Sequence, residues 1–135
     1  MENIYSKDGK VLLHVIFRKK DFTKQRTDIS PPEEFLQLSS LKLDKGKTFR
    51  PHKHVFCEKI TNIAQESWVV IQGKVKVMLY DLEDKLTKET ILKPGDVSLT
   101  FKGGHNYEIL KENTLVYEYK TGPYLGQKFD KAFID

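Results

Sequence analysis

The run from Lys74 to Tyr80 (KVKVMLY) sets Val75, Val77 and Leu79 on one parity. A period of two is the geometry of a strand with one wet face. Gly73 opens this run and Asp81 closes it, and the same pattern returns along the chain. VLLHVIF, FLQLSSLKL, residues 86–92, VSLTF and TLVYEYK are short apolar or alternating runs bounded by Gly, Pro, Asn or Asp. Turn signals come at roughly every eight to twelve residues with almost no helical periodicity, which predicts about nine short strands in an all-β sandwich or barrel. Only Ser30-Pro31-Pro32-Glu33 has the form of a helix start, and its second proline limits it to about one turn.

In chain order, Phe35 to Leu43 reads as a strand whose apolar parity switches between Leu38 and Leu41, the mark of a bulge. The next strand carries Arg50, His52, His54 and Phe56 on one parity, with Pro51 placing its start at an edge. A hairpin at Thr61-Asn62 returns the chain through Glu66, Trp68 and Val70. Lys93-Pro94-Gly95-Asp96 is a tight turn, and Lys102-Gly103-Gly104 a bend that delivers His105, Tyr107 and Ile109. Tyr117 and Tyr119 share a parity. The tail TGPYLGQKFDKAFID holds Tyr124, Leu125, Phe129, Phe133 and Ile134, too many large apolar groups for a disordered end. It is expected to pack back on the barrel or across to a second subunit.

At 135 residues the chain is expected to form one domain, residues 1–135, with a core that needs no staples. No run is apolar enough to span a bilayer, and MENIYSKDGK lacks the apolar segment of a signal peptide. The single cysteine, Cys57, forms no internal disulfide. A cytoplasmic protein with no membrane partner is the expectation. The net charge is +4, and residues 1–30 hold seven basic against four acidic residues. The run Arg18-Lys19-Lys20 is too short to be a nucleic-acid-binding face, so no nucleic-acid partner is expected. Positive potential around a pocket for a small polar or anionic molecule is the better use of the surplus.

Parity also singles out the chemistry. Side chains i and i+2 of a strand share a face, so His52 and His54 can aim two imidazoles into one interior. Glu66 and His105 would complete a four-ligand metal site if later strands bring them there. Trp68 and Tyr107 alternate with Glu66 and His105, so their rings should flank the site, filling the interior or stacking on a ligand. Arg50 shares the inward parity and is placed to hold a carboxylate or phosphate. Tyr107 and Tyr117 are candidate proton donors and ligand contacts. His14 lies in an apolar run, where a histidine satisfied within the sheet is the commoner case; it is a general base only if its strand crosses the mouth. Cys57 should point outward with no partner to activate it. Lys102 is expected at the rim.

Taken together, these stretches resemble the cupins, small double-stranded β-helix (jelly-roll) proteins. Gly46, His52, His54, Glu66 and Gly73 match the first family motif, and Pro94, Gly95, Asp96, Gly103 and His105 the second. Two departures are visible. Eleven residues separate His54 from Glu66, a longer span than the family's usual one, and Phe101 stands where proline is common. The resemblance covers roughly residues 35–120. It implies a cupin jelly roll with His52, His54, Glu66 and His105 as ligands of a divalent ion such as Fe, Mn, Ni or Zn, often in a homodimer. Octahedral ions would keep water positions open at such a site, and binding would weaken below about pH 6 as histidines protonate. The function expected is isomerisation or epimerisation of a small sugar or sugar-nucleotide, with Arg50, Tyr107 and His14 as catalytic candidates and Arg50, Trp68, Tyr107 and Tyr117 contacting substrate. A metal-dependent dioxygenase and a non-catalytic binding or sensing module are the alternatives.

Overall fold

Ten strands and almost no helix bear out the all-β expectation in a computed structural model that describes all residues, Met1–Asp135. The strands are β1 (Glu2–Tyr5), β2 (Leu12–Phe17), β3 (Arg26–Asp28), β4 (Ser39–Leu41), β5 (Glu66–Gln72), β6 (Val75–Tyr80), β7 (Leu86–Leu92), β8 (Val97–Thr100), β9 (His105–Ile109) and β10 (Leu115–Lys120). One turn of helix, α1 (Gln127–Asp130), stands near the C-terminus. No helix is long and apolar enough to cross a membrane.

The strands form three antiparallel sheets. Five lie in the order β1-β2-β8-β5-β10, three in the order β7-β6-β9, and β3 pairs with β4. They do not close into a single barrel; β9 and β10 are each left with one unpaired edge.

Alternation explains the layers. On the inner face of the five-stranded sheet Ile4, Ile16 and Val70 meet Val75, Val77, Leu79 and Leu92 from the smaller sheet. On its outer face Val15, Phe17, Val97, Leu99 and Phe101 form a second cluster, covered by Ile29 and Leu38. Residues of opposite parity on β8, Ser98 and Thr100, turn inward with Glu66 and Trp68 of β5. Thr100 lies in register with both His14 and Glu66.

One part of the expected strand set is different. Of Phe35 to Leu43 only Ser39–Leu41 is strand, paired with Arg26–Asp28. No strand or hairpin forms between Leu41 and Glu66: residues 46–60 are irregular and exposed, and Phe56 is 98% exposed. Parity orders side chains only after a backbone has found a partner, and this segment has none. Pro51 removes one donor, and Lys47, Arg50, Lys53 and Lys59 favour hydration.

Candidate functional site

The bend at Lys102-Gly103-Gly104 places His105 as the sequence suggests. Gly103 takes a φ of +79°, and a Cβ there would collide with the Tyr80 carbonyl. Tyr80 and Gly104 exchange two backbone hydrogen bonds, at 2.8 and 3.2 Å, which fixes the residue just before His105. On β5, Glu66 points inward. The outcome is a close pair: His105 Nε2 lies 3.1 Å from Glu66 Oε1.

This pair lines a cavity of about 540 Å³ with Trp68, Tyr107, Thr100 and Glu118. Trp68 and Tyr107 stack with ring centroids 3.9 Å apart and planes 6° from parallel, so each covers one face of the other. The indole N–H of Trp68 is shared between Glu66 Oε1 and Glu118 Oε2, both at 3.1 Å. Tyr107 and Ser98 share a hydroxyl hydrogen bond of 3.0 Å. Trp68 is therefore both core and site: its ring packs on Tyr107, and its N–H orients two carboxylates.

Burial alone would raise the carboxyl pKa of Glu66. The hydrogen bond and charge of His105, with Lys131 and the Trp68 N–H, outweigh it and hold the group below its ordinary value. Glu66 is thus an anion across the neutral range. Tyr107 moves the other way: burial pushes its phenol up, and the charges of Glu66 and Glu118 add to this against the Ser98 hydrogen bond. It can donate a hydrogen bond but gives up its proton reluctantly. His105 Nδ1 is buried without a hydrogen-bond partner.

The other sequence candidates fall elsewhere. His14 is fully buried behind the cavity wall, with Nε2–H donating to the Tyr80 carbonyl at 2.9 Å and Nδ1 accepting from Thr100 Oγ1 at 3.0 Å. Both nitrogens are engaged, which leaves no lone pair for a general base. It positions the bend through the same Tyr80 carbonyl that holds Gly104. Tyr117 lies on β10 with the parity opposite to the cavity-lining Glu118 and is 59% exposed. Arg50 is on the exposed segment, where its backbone carbonyl accepts a hydrogen bond from His52 Nδ1 at 3.0 Å. That bond leaves His52 Nε2 as a free, exposed lone pair. His54 stands beside it, with ring centroids 5.7 Å apart. Cys57 is exposed, as expected.

A divalent ion can be tested against this donor set. Two ligands at about 2.1 Å from one ion and at right angles are about 3 Å apart, close to the 3.1 Å between Glu66 Oε1 and His105 Nε2. These two fit. His52 and His54 do not converge on them, and no group of three potential ligands comes together in this structure.

Three contributors were not singled out from sequence. Glu118 sits between Tyr117 and Tyr119, which face away from the cavity, and it shares its parity with Val116, which is apolar and inward. Asp130 and Lys131 line the cavity from the C-terminal arm, together with Gln127, Phe133 and Ile134. Ile134 packs where a side chain on Gly104 would stand. Of the tail's large apolar groups only Ile134 is drawn in this way; Tyr124, Leu125, Phe129 and Phe133 stay exposed.

In comparisons with protein-family models, curated proteins and solved structures, none matches this chain. What the fold and the cavity define is a small all-β domain with a polar, aromatic-walled site beside an unpaired strand edge.

Proposed function

We propose that this protein is a cupin-like, divalent-metal-binding enzyme that isomerises or epimerises a small sugar or sugar-nucleotide in the cavity beside Glu66 and His105. The observation that carries the reading is the Glu66–His105 pair, two donor atoms at 3.1 Å on the wall of a cavity of about 540 Å³. Its remaining ligands would be His52 and His54. They need the exposed segment to fold inward, and the unpaired edge of β9, the strand that begins with His105, is a template for such an added strand. Completed in this way, the two layers would approach a jelly roll. The same reading includes a homodimer, which the exposed row Leu115, Tyr117 and Tyr119 on β10 supports.

A bound ion would supply Lewis-acid polarisation of a carbonyl oxygen. The chain's own residues do the rest. Glu66, held anionic, would be the carboxylate ligand of that ion, while the Trp68 N–H keeps its carboxylate oriented. The stacked rings and the arm wall the cavity on two sides. Tyr107, with its raised phenol, serves as a hydrogen-bond donor rather than an acid. A binding module without turnover is the second reading, favoured by His14 and Tyr107 both being unsuited to proton transfer.

Calorimetric titration of metal-stripped protein with Mn²⁺, Ni²⁺ and Zn²⁺ tests the metal. One ion per chain is expected, with affinity reduced at least about tenfold by Glu66→Gln and by the double change His52→Ala, His54→Ala. Uptake unaffected by the double change would remove His52 and His54 from the site. No uptake by the wild type would end the metal reading.

A further inference from the structure

The charges around the cavity are not evenly paired. Glu118 accepts from the Trp68 indole at 3.1 Å and lies 3.8 Å from Lys120 Nζ. Asp130 is 3.6 Å from the same ammonium group. Glu66 has His105 and the Trp68 N–H. Every carboxylate lining the cavity therefore has a partner within the protein. The two lining lysines, Lys102 before the glycine bend and Lys131 on the C-terminal arm, form no ion pair and no side-chain hydrogen bond. The cavity's acids all have a partner, with Glu118 and Asp130 sharing Lys120, while its two lysines have no direct one.

We propose that the ligand of this cavity carries a carboxylate or phosphate group, and that Lys131 with Lys102 reads that anion. The inference rests on the cavity being the ligand site and adds the chemical class that it selects. The arm is seated where this requires: Ile134 packs against Gly104, two residues from Lys102, and Gln127, Asp130 and Lys131 line the cavity beside it. Lys131 is close enough for its charge to act on Glu66. An ammonium group is a compact point charge on a flexible stem, suited to an anion whose exact placement varies. A neutral polyol would leave both lysines unpaired. A small molecule with one anionic group fills the role.

Trp68 is the single tryptophan of the chain and lines the cavity, so its fluorescence reports occupancy directly. The full chain in low-salt buffer is titrated with glucose, glucuronate and glucose 6-phosphate, with calorimetry in parallel. Both anionic sugars are expected to bind at least about tenfold more tightly than glucose. The tighter of the two identifies carboxylate or phosphate as the group read. Lys131→Gln should weaken anion binding by about ten- to a hundredfold and leave glucose unchanged, Lys131→Arg should restore most of it, and Lys111→Gln, on an outer turn, should do nothing. Far-UV circular dichroism confirms that each variant is folded. Equal binding of glucose and the anions overturns the inference and leaves the site standing, as does an anion preference that survives both Lys131→Gln and Lys102→Gln. No binding of any of the three sugars overturns the site reading and the inference together.

Discussion

Acidification from neutral pH to about pH 4 should remove about 3 kcal/mol of unfolding free energy through His14 alone. This imidazole is fully buried, and burial pushes its pKa from 6.5 down to about 4, with the charge of His105 adding to the effect and the Tyr80 carbonyl opposing it. The unfolded chain binds a proton on His14 near its ordinary pKa; the folded chain resists until about pH 4. Stability is therefore whole above about pH 6.5 and is lost as pH falls toward the folded value. Against a total of about 5–15 kcal/mol for a typical domain, the loss is large. Urea midpoints measured across this range for the wild type and His14→Gln separate the effect from the carboxylates. Asp8, Asp28 and Asp81, held low by hydrogen bonds from Ser6, Ser39 and the Lys85 backbone N–H, titrate in both proteins and cancel. Glutamine can still donate to Tyr80 and accept from Thr100, but it does not titrate. The stability gap between the two should be constant above about pH 6.5 and shift by about 3 kcal/mol in favour of the variant by pH 4. Parallel curves would show that His14 is not the group responsible.

The same histidine shows how far sequence reasoning reaches. An imidazole inside VLLHVIF was expected to be a satisfied sheet residue rather than a base, because its neighbours on both sides are apolar; the structure places both its nitrogens in hydrogen bonds. Glu66 and His105 were likewise legible, since each lies in or beside a run with its own turn: Gly73 ends one and Gly103-Gly104 begins the other. Nothing local tied down His52 and His54. Their spacing says that they share a face if the segment is a strand, but the strand has to be made by a distant edge, and edges are a property of the finished sheet. Phe35 to Leu43 falls short of the strand its sequence suggests for the same reason, with only Ser39–Leu41 finding a partner. Lys131 and Asp130 were hidden differently. The tail's Phe and Tyr side chains stay exposed, and the surface that receives its Ile134, Gly104 and the cavity rim, exists only after β8 and β9 are placed.

Replacing Phe101 with alanine should cost about 3–5 kcal/mol, a large share of the about 5–15 kcal/mol that holds a typical domain folded. Phe101 is fully buried and packs in the outer cluster with Val15, Phe17, Ile29, Val97 and Leu99. It is also the residue that departs from the resembled motif, standing where proline is common. A proline would stiffen the chain at this point through its fixed φ; phenylalanine does it by packing. Its backbone N–H donates to the Leu13 carbonyl at 2.9 Å, and the next N–H, from Lys102, reaches the same oxygen at 3.3 Å. The ring thus anchors the last residue before the bend that turns His105 toward Glu66. Phe101→Leu keeps much of the volume and should cost less than about 1.5 kcal/mol. Urea unfolding of both variants, followed by circular dichroism, measures the difference; an unchanged slope with a lower midpoint would assign the change to stability itself. If alanine costs no more than leucine, the cluster does not anchor the bend. A proline at this position would delete the N–H bonded to Leu13, so Phe101→Pro should be at least as damaging as alanine here, even though the resembled family tolerates it. That outcome would show the anchor to be specific to this chain's packing, with one hydrophobic ring holding the bend on which the Glu66–His105 pair depends.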